Sequence, residues 1–270
     1  AVTVRDSGWI QLHAENIQEA LDFHIQAYRI GEGPKIMLPV MVNMDGFILT
    51  HGLEVADIPT QEQVDSFLPP YNPLYKLDVE NPLTLGPLVD PDYYMETRFA
   101  IHETHKDVLR LIPLVRDEFE KVFGRSSGGL VEGYRLNDAE KVIVAMGSVC
   151  GTIKDVVDGL RAKGKKVGLL RVITYRPFPA QEIYRALKDV PKVAVVEKAV
   201  SLGSYSPLLS EIRSVFCGRK KAPVISGFVI GLGGRDITID SVKEIFKRLT
   251  AKQISEEYID LKPELLEENI

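Results

Sequence analysis

The sequence predicts an α/β protein whose carboxyl-terminal half is a mostly parallel sheet covered on both faces. Three observations lead to that class. Between residues 137 and 256, four β-branched runs (KVIVAMGSV, KVGLLRVITY, KVAVVEKAV and PVISGFVIG) alternate with amphipathic helical stretches, the pattern of strands joined by crossover helices. At the amino-terminal end a helical pattern precedes an apolar run, which is half of a βαβ unit without its first strand. Between the two, seven of the sixteen prolines fall from Pro59 to Pro91. Proline fixes φ and removes donors, so an extended, ordered arm is expected there.

The first zone covers 1–53. Asn16 with Glu19 three positions later reads as a helix start. Ile17, Ala20, Leu21, His24, Ile25 and Tyr28 then recur at helical spacing and define an apolar face, with His24 as a core histidine. Gly31, Gly33 and Pro34 end the helix, and KIMLPVMVNM reads as a buried strand. The absent initiator methionine and missing first strand read as the carboxyl-terminal part of a longer subunit.

The second zone, 54–125, holds the arm and a helix from about His102 to Phe123, where Pro113 is expected to kink or split the pattern. In the third zone, 126–256, the helices carry Ile153, Val156, Val157 and Leu160, then Ile183 and Leu187. Leu208, Leu209, Ile212, Val215 and Phe216 follow, and the last helix carries Val242, Ile245, Phe246 and Leu249, with Thr238 as its N-cap. A tail, 257–270, is read as lying on a partner or fraying.

Composition narrows the function classes. A net charge of -5 argues against nucleic acid or an anionic membrane as the main partner. No apolar run reaches the length needed to span a bilayer. The two cysteines, Cys150 and Cys217, form no CxxC pair and cannot supply four thiolates to a cluster. They read as small buried hydrophobes in a reducing cytoplasm.

Several motifs carry candidate chemistry. GLGGRD, 231–236, has Asp236 where a dinucleotide fingerprint needs glycine, and it follows the last strand instead of the first, so NAD binding is rejected. Gly233, Gly234 and Arg235 instead form a turn that holds an anion or closes a tight domain contact. MGS, 146–148, turns a strand into a helix, either capping it or offering an anion site. His102 and His105 flank Glu103 but lack a third ligand, and HExxH and GxSxG are both absent, so no metal site or hydrolase is assigned. In MDGFILTH, Asp45 and Gly46 form a turn while Phe47 and His51 line a cleft or simply close a loop. Arg5 offers a planar fork matched to a carboxylate, and Asp6 orients it or pairs with another chain.

VRDSGWIQLHAENIQEALD, LPVMVNMDGFILTH, FLPPYNPLY, PDYYMETRF, the MGS turn, YRPFP, VVEKAVSLG and GLGGRD follow one another in this order. Nearly the whole chain thereby resembles the alpha subunit of the multi-subunit 2-oxoacid:ferredoxin oxidoreductases, most closely the pyruvate type. The resemblance implies the end of a thiamine-enzyme pyrimidine-type domain, a linker, and a domain like the carboxyl-terminal domain of transketolase. It implies oxidative decarboxylation of pyruvate on thiamine diphosphate, with electrons passed to ferredoxin and the acyl group to coenzyme A. Oxalate and branched-chain 2-oxoacids are alternative substrates, and a non-catalytic assembly module is the alternative role. The implied partners are the beta, gamma and delta type subunits, which hold the [4Fe-4S] clusters and most of the diphosphate and Mg2+ contacts. Arg5 aligns with an arginine that contacts the substrate carboxylate. The catalytic glutamate of the family lies upstream of the present residues, so no catalytic residue is assigned.

Overall fold

The computed structural model describes residues 1–266, so the last four residues of the expected tail lie outside the described residues. Two sheets organise the chain. The smaller runs β2-β1-β6, where β1 is Ile10–His13, β2 is Val40–Asn43 and β6 is Thr174–Arg176. β1 and β2 are parallel and joined by α1, Ile17–Gly31, while β6 pairs antiparallel to β1. The first strand of the βαβ unit, missing from the sequence reading, is therefore present as IQLH. Gln11 and His13 broke the apolar pattern there, yet Gln11 is fully buried.

α1 starts as expected, with the Asn16 side chain accepting from the Glu19 N–H at 2.9 Å. Its buried face is rotated from the expected one. Asp22, Phe23, Ile25, Gln26 and Ile30 are buried, whereas His24 and Tyr28 are exposed. The polar members are satisfied inside: Arg125 bonds both oxygens of Asp22, and Gln26 donates to the Ser127 carbonyl. β2 is an edge strand and only half-buried, not the buried strand the apolar run predicts.

From Gly52 onward the chain runs over the surface, with one short helix, α2 (Gln61–Phe67), closed by a capping box at Thr60. α3 extends from Pro91 to Phe123, three turns longer than the sequence reading, because Asp90 caps it and Pro91 sits in its first turn. It continues through Pro113 instead of splitting there. Val108, Ile112, Val115 and Phe119 bury one face on both sides of the proline, against the first-half core.

The larger sheet runs β3-β5-β4-β7-β8-β9. β3 (Val131–Tyr134) is antiparallel to β5 (Val167–Val172), and β4 (Lys141–Ala145), β7 (Lys192–Glu197), β8 (Val224–Val229) and β9 (Glu257–Tyr258) complete it in parallel. Glu257–Tyr258, inside the segment read as a tail, thus pairs with β8. The run KVGLLRVITY divides: Val167–Val172 serves the larger sheet and Thr174–Arg176 serves the smaller one.

α4 (Val149–Arg161) and α7 (Ile239–Arg248) pack on one face of this sheet. α5 (Ala180–Leu187) and α6 (Pro207–Phe216) pack on the other. Thr238 caps α7 through its hydroxyl, as its position predicts.

Candidate functional site

The sheet order fixes where function is expected. From β4 the chain turns to β5 on one side, while from β7 it proceeds to β8 on the other. The crevice between the carboxyl ends of β4 and β7 is therefore a topological switch point. A cavity of about 360 Å³ opens there, lined by His13, Asp45, Gly147, Glu197 and Lys198 among others. His13 ends β1, Asp45 follows β2, Gly147 follows β4, and Glu197 with Lys198 closes β7. Strand ends from both sheets thus meet in one place.

The charges in this cavity are arranged in pairs. Asp45 Oδ2 accepts from the Ser148 N–H at 2.6 Å, and Lys198 Nζ lies 2.9 Å from Asp45 Oδ1. Burial works against the Asp45 carboxylate, but Ser148 and Lys198 outweigh it and hold its pKa below the usual range. Glu197 accepts from the N–H groups of Leu208 and Leu209 at the start of α6, each at 3.0 Å. Burial dominates nonetheless and pushes its pKa up to about 7. Burial also lowers the His13 pKa to about 4, so this imidazole is neutral at physiological pH, with Nε2 sealed and unpartnered.

A second cavity, about 380 Å³, lies along α3. Its polar lining comprises Arg5, Asp6, Arg98, His102, His105, Lys106 and Arg176, and Ile101, Leu109 and Phe178 supply an apolar floor. Arg176 bonds Glu211 at 2.5 Å and lies with its guanidinium carbon 4.5 Å from the Tyr175 ring centroid. Arg5 bonds the Val2 carbonyl at 3.3 Å and stands 3.8 Å from Asp6. His105 meets the Gly8 carbonyl at 3.1 Å.

The structure thus divides the candidate residues of the sequence into three groups. Asp45 and Gly46 reach the switch-point cavity, and Arg5 and Asp6 reach the second cavity. His51 lies on the surface, stacked on Phe47 at 4.7 Å between centroids. Gly233 and Gly234 have positive φ in an exposed turn after β8, and Arg235 bonds the Asp260 carbonyl, so GLGGRD closes a contact with the β9 segment. Sequence reasoning missed His13, Glu197 and Lys198. The signal available was their place at the ends of β-branched runs, where open α/β sheets put functional side chains.

Residues 1–117 match the family described as "Pyruvate flavodoxin/ferredoxin oxidoreductase, thiamine diP-bdg", and residues 139–242 match "Pyruvate:ferredoxin oxidoreductase core domain II". The chain is 46% identical to the pyruvate synthase subunit PorA of Methanothermobacter thermautotrophicus, over 98% of its own length and 68% of that relative's. It belongs to the pyruvate:ferredoxin oxidoreductase family.

The PorA subunit of Methanosarcina barkeri is 43% identical over the same shares, 98% and 68%. The ketoisovalerate oxidoreductase subunit VorA of Pyrococcus horikoshii is 39% identical, over 91% of this chain and 62% of that relative. The chain therefore spans about two thirds of the length of these relatives. A solved 2-oxoglutarate:ferredoxin oxidoreductase from Magnetococcus marinus, with 2-oxoglutarate, coenzyme A and succinyl-CoA bound, superposes with a TM-score of 0.53. That match has 16% identity and covers 88% of this chain and 42% of the other, so it supports the fold alone.

As a member of this family the chain is an oxidoreductase subunit with a thiamine diphosphate-binding domain. Among the described residues no group of three His, Cys, Asp or Glu side chains is placed to hold a metal ion. Among the described residues, too, no helix is long and apolar enough to cross a membrane.

Proposed function

We propose that this chain serves a pyruvate-type 2-oxoacid:ferredoxin oxidoreductase by supplying the substrate-facing wall around Arg5 and the second domain that supports it. The assembled enzyme decarboxylates pyruvate oxidatively to acetyl-CoA and CO2 and passes electrons to ferredoxin. Thiamine diphosphate with Mg2+ and the [4Fe-4S] clusters are held mainly by the beta, gamma and delta type partners. The observation that carries this reading is the 46% identity to a pyruvate synthase subunit across nearly the whole chain.

The second cavity suits the substrate class in physical terms. A short 2-oxoacid has an anionic head and a small apolar tail, and the cavity offers guanidinium groups beside an apolar floor. Arg5 binds the carboxylate and orients the substrate, which is a positioning role.

A chimera provides the test. Residues 1–266 replace the matching segment of the Methanothermobacter alpha subunit, which is then co-expressed with its partner subunits. The chimera is expected to reduce a viologen dye in a pyruvate- and coenzyme A-dependent way, whereas the isolated chain does not. Arg5→Ala in the chimera raises KM for pyruvate and lowers kcat. An assembled but inert chimera, or turnover by the isolated chain, overturns the proposal, and unchanged kinetics remove Arg5 from the site.

One observation favours an assembly role alongside the catalytic one. Between Tyr71 and Phe99 the chain exposes many large apolar side chains, with Val79 94% and Leu88 99% exposed. Exposure of that extent marks a protein-protein contact.

A further inference from the structure

Asp45 reaches from the loop after β2, in the first half of the chain, into the crevice at the carboxyl ends of β4 and β7 in the second. Its two oxygens are used separately. Oδ2 accepts from the Ser148 N–H at the start of α4, and Oδ1 faces the Lys198 ammonium. A helix start carries partial positive charge, and α4 is thirteen residues long. Backbone N–H on one oxygen and a fixed cation on the other is how a free carboxylate is recognised.

Two further features are shaped around that anion. Gly147 has φ of +75°, and a Cβ added there would stand 2.7 Å from Asp45 Oδ2, so the turn admits the carboxylate only without a side chain. His13 lines the same cavity with its Nε2 sealed and unpartnered, and the Asp45 charge acts on its titration. That ring nitrogen has no hydrogen-bond partner.

We infer that the switch-point crevice is a carboxylate-binding site, built from the Ser148 N–H and Lys198 in the space that Gly147 leaves open, and that its resident ligand is the Asp45 side chain. Where doubly wound domains take a ligand from solution, this one takes a side chain from its neighbour. The joint between the halves is then an intramolecular binding equilibrium. It resists competing carboxylates because the tethered group has a high effective concentration. This inference concerns the joint and does not rest on the proposed reaction.

The test is chemical rescue. Asp45→Ala empties the site, and acetate is titrated at constant ionic strength against chloride, with unfolding temperature as the readout. Acetate is expected to raise the midpoint of the variant by about 2 °C or more while leaving the unsubstituted chain unchanged. Adding Lys198→Ala abolishes the response. Asp45→Asn, which keeps the shape and refills the site with an amide, folds and gives no response. Should Asp45→Ala fold only when acetate is present, the same conclusion holds. An acetate response equal to that of the unsubstituted chain overturns the inference. So does a response indifferent to Lys198, or an Asp45→Ala chain that stays unfolded in acetate while Asp45→Asn folds.

Discussion

Two of the contacts that join the first half of the chain to the second domain differ in what lies at their centre. At one, Arg171 of β5 is 1% exposed and bonds Glu15 at 2.8 Å, Glu19 at 2.5 Å and Glu132 at 2.9 Å. Lys154 completes this cluster through Glu15 at 2.8 Å. Burial disfavours the Arg171 charge, yet Glu19 and Glu15 outweigh it and raise its pKa further. At the other seam, Asp45 and Lys198 are one-fifth to one-quarter exposed and border an open cavity. At the first seam the central guanidinium is buried and shared among three carboxylates, while Glu15, Glu19, Glu132 and Lys154 around it border an open cavity of about 360 Å³. The second faces solvent, where its charges exchange at lower cost.

The largest expected effect comes from removing the buried guanidinium of the first seam. Arg171→Met leaves Glu15 and Glu19 as buried carboxylates short of a partner, which costs about 3–5 kcal/mol of stability. Chemical denaturation of the chain measures this, and a loss near that of an exposed pair, about 0–1 kcal/mol, would erase the contrast between the seams.

A smaller effect is expected at the open seam. Gly147→Ala puts a methyl group against Asp45 and forces a positive φ on a side-chain-bearing residue, for a loss of about 1–3 kcal/mol. In an Asp45→Ala background the loss should shrink to the backbone strain alone, on the order of 1 kcal/mol. An unchanged loss in the double variant would show that Gly147 answers only to its backbone.

The subtlest effect is a pH dependence within the open cavity. Glu197 has a folded pKa near 7 against 4.5 unfolded, so its contribution is full below pH 4.5 and fades as pH rises to 7. His13 has a folded pKa near 4 against 6.5, so its contribution is full above pH 6.5 and fades as pH falls to 4. Between about pH 4.5 and 6.5 the two oppose each other. Glu197→Gln should therefore make stability rise with pH across that window, by on the order of 2 kcal/mol. A flat or falling profile in that variant would contradict the assignment of the two groups.

What the sequence made legible follows the same division. The strands β4, β5, β7 and β8 could be read directly, because a strand buried on both faces must be a continuous β-branched run. The caps at Asn16 and Thr238 were legible because capping is local chemistry. β1 was not, since Gln11 and His13 are placed by the pairing of β1 with β6 and the contact with Tyr175, far along the chain, and not by their own polarity. The phase of α1 failed for a related reason: Asp22 is buried only because Arg125, about a hundred residues later, meets it there. Asp45 was noticed as part of a turn. Its meeting with Gly147 and Lys198 needed three turns from separate strands, which no local pattern encodes.

The most direct test of the whole account is the substrate preference of the chimeric complex. Pyruvate and 3-methyl-2-oxobutanoate are compared by kcat/KM in viologen reduction with coenzyme A present. A pyruvate-type subunit should favour pyruvate by about tenfold or more, the scale set by fitting or excluding small apolar groups in a pocket. A preference for the branched acid by the assembled complex would contradict the account and assign the chain to the ketoisovalerate branch of the family.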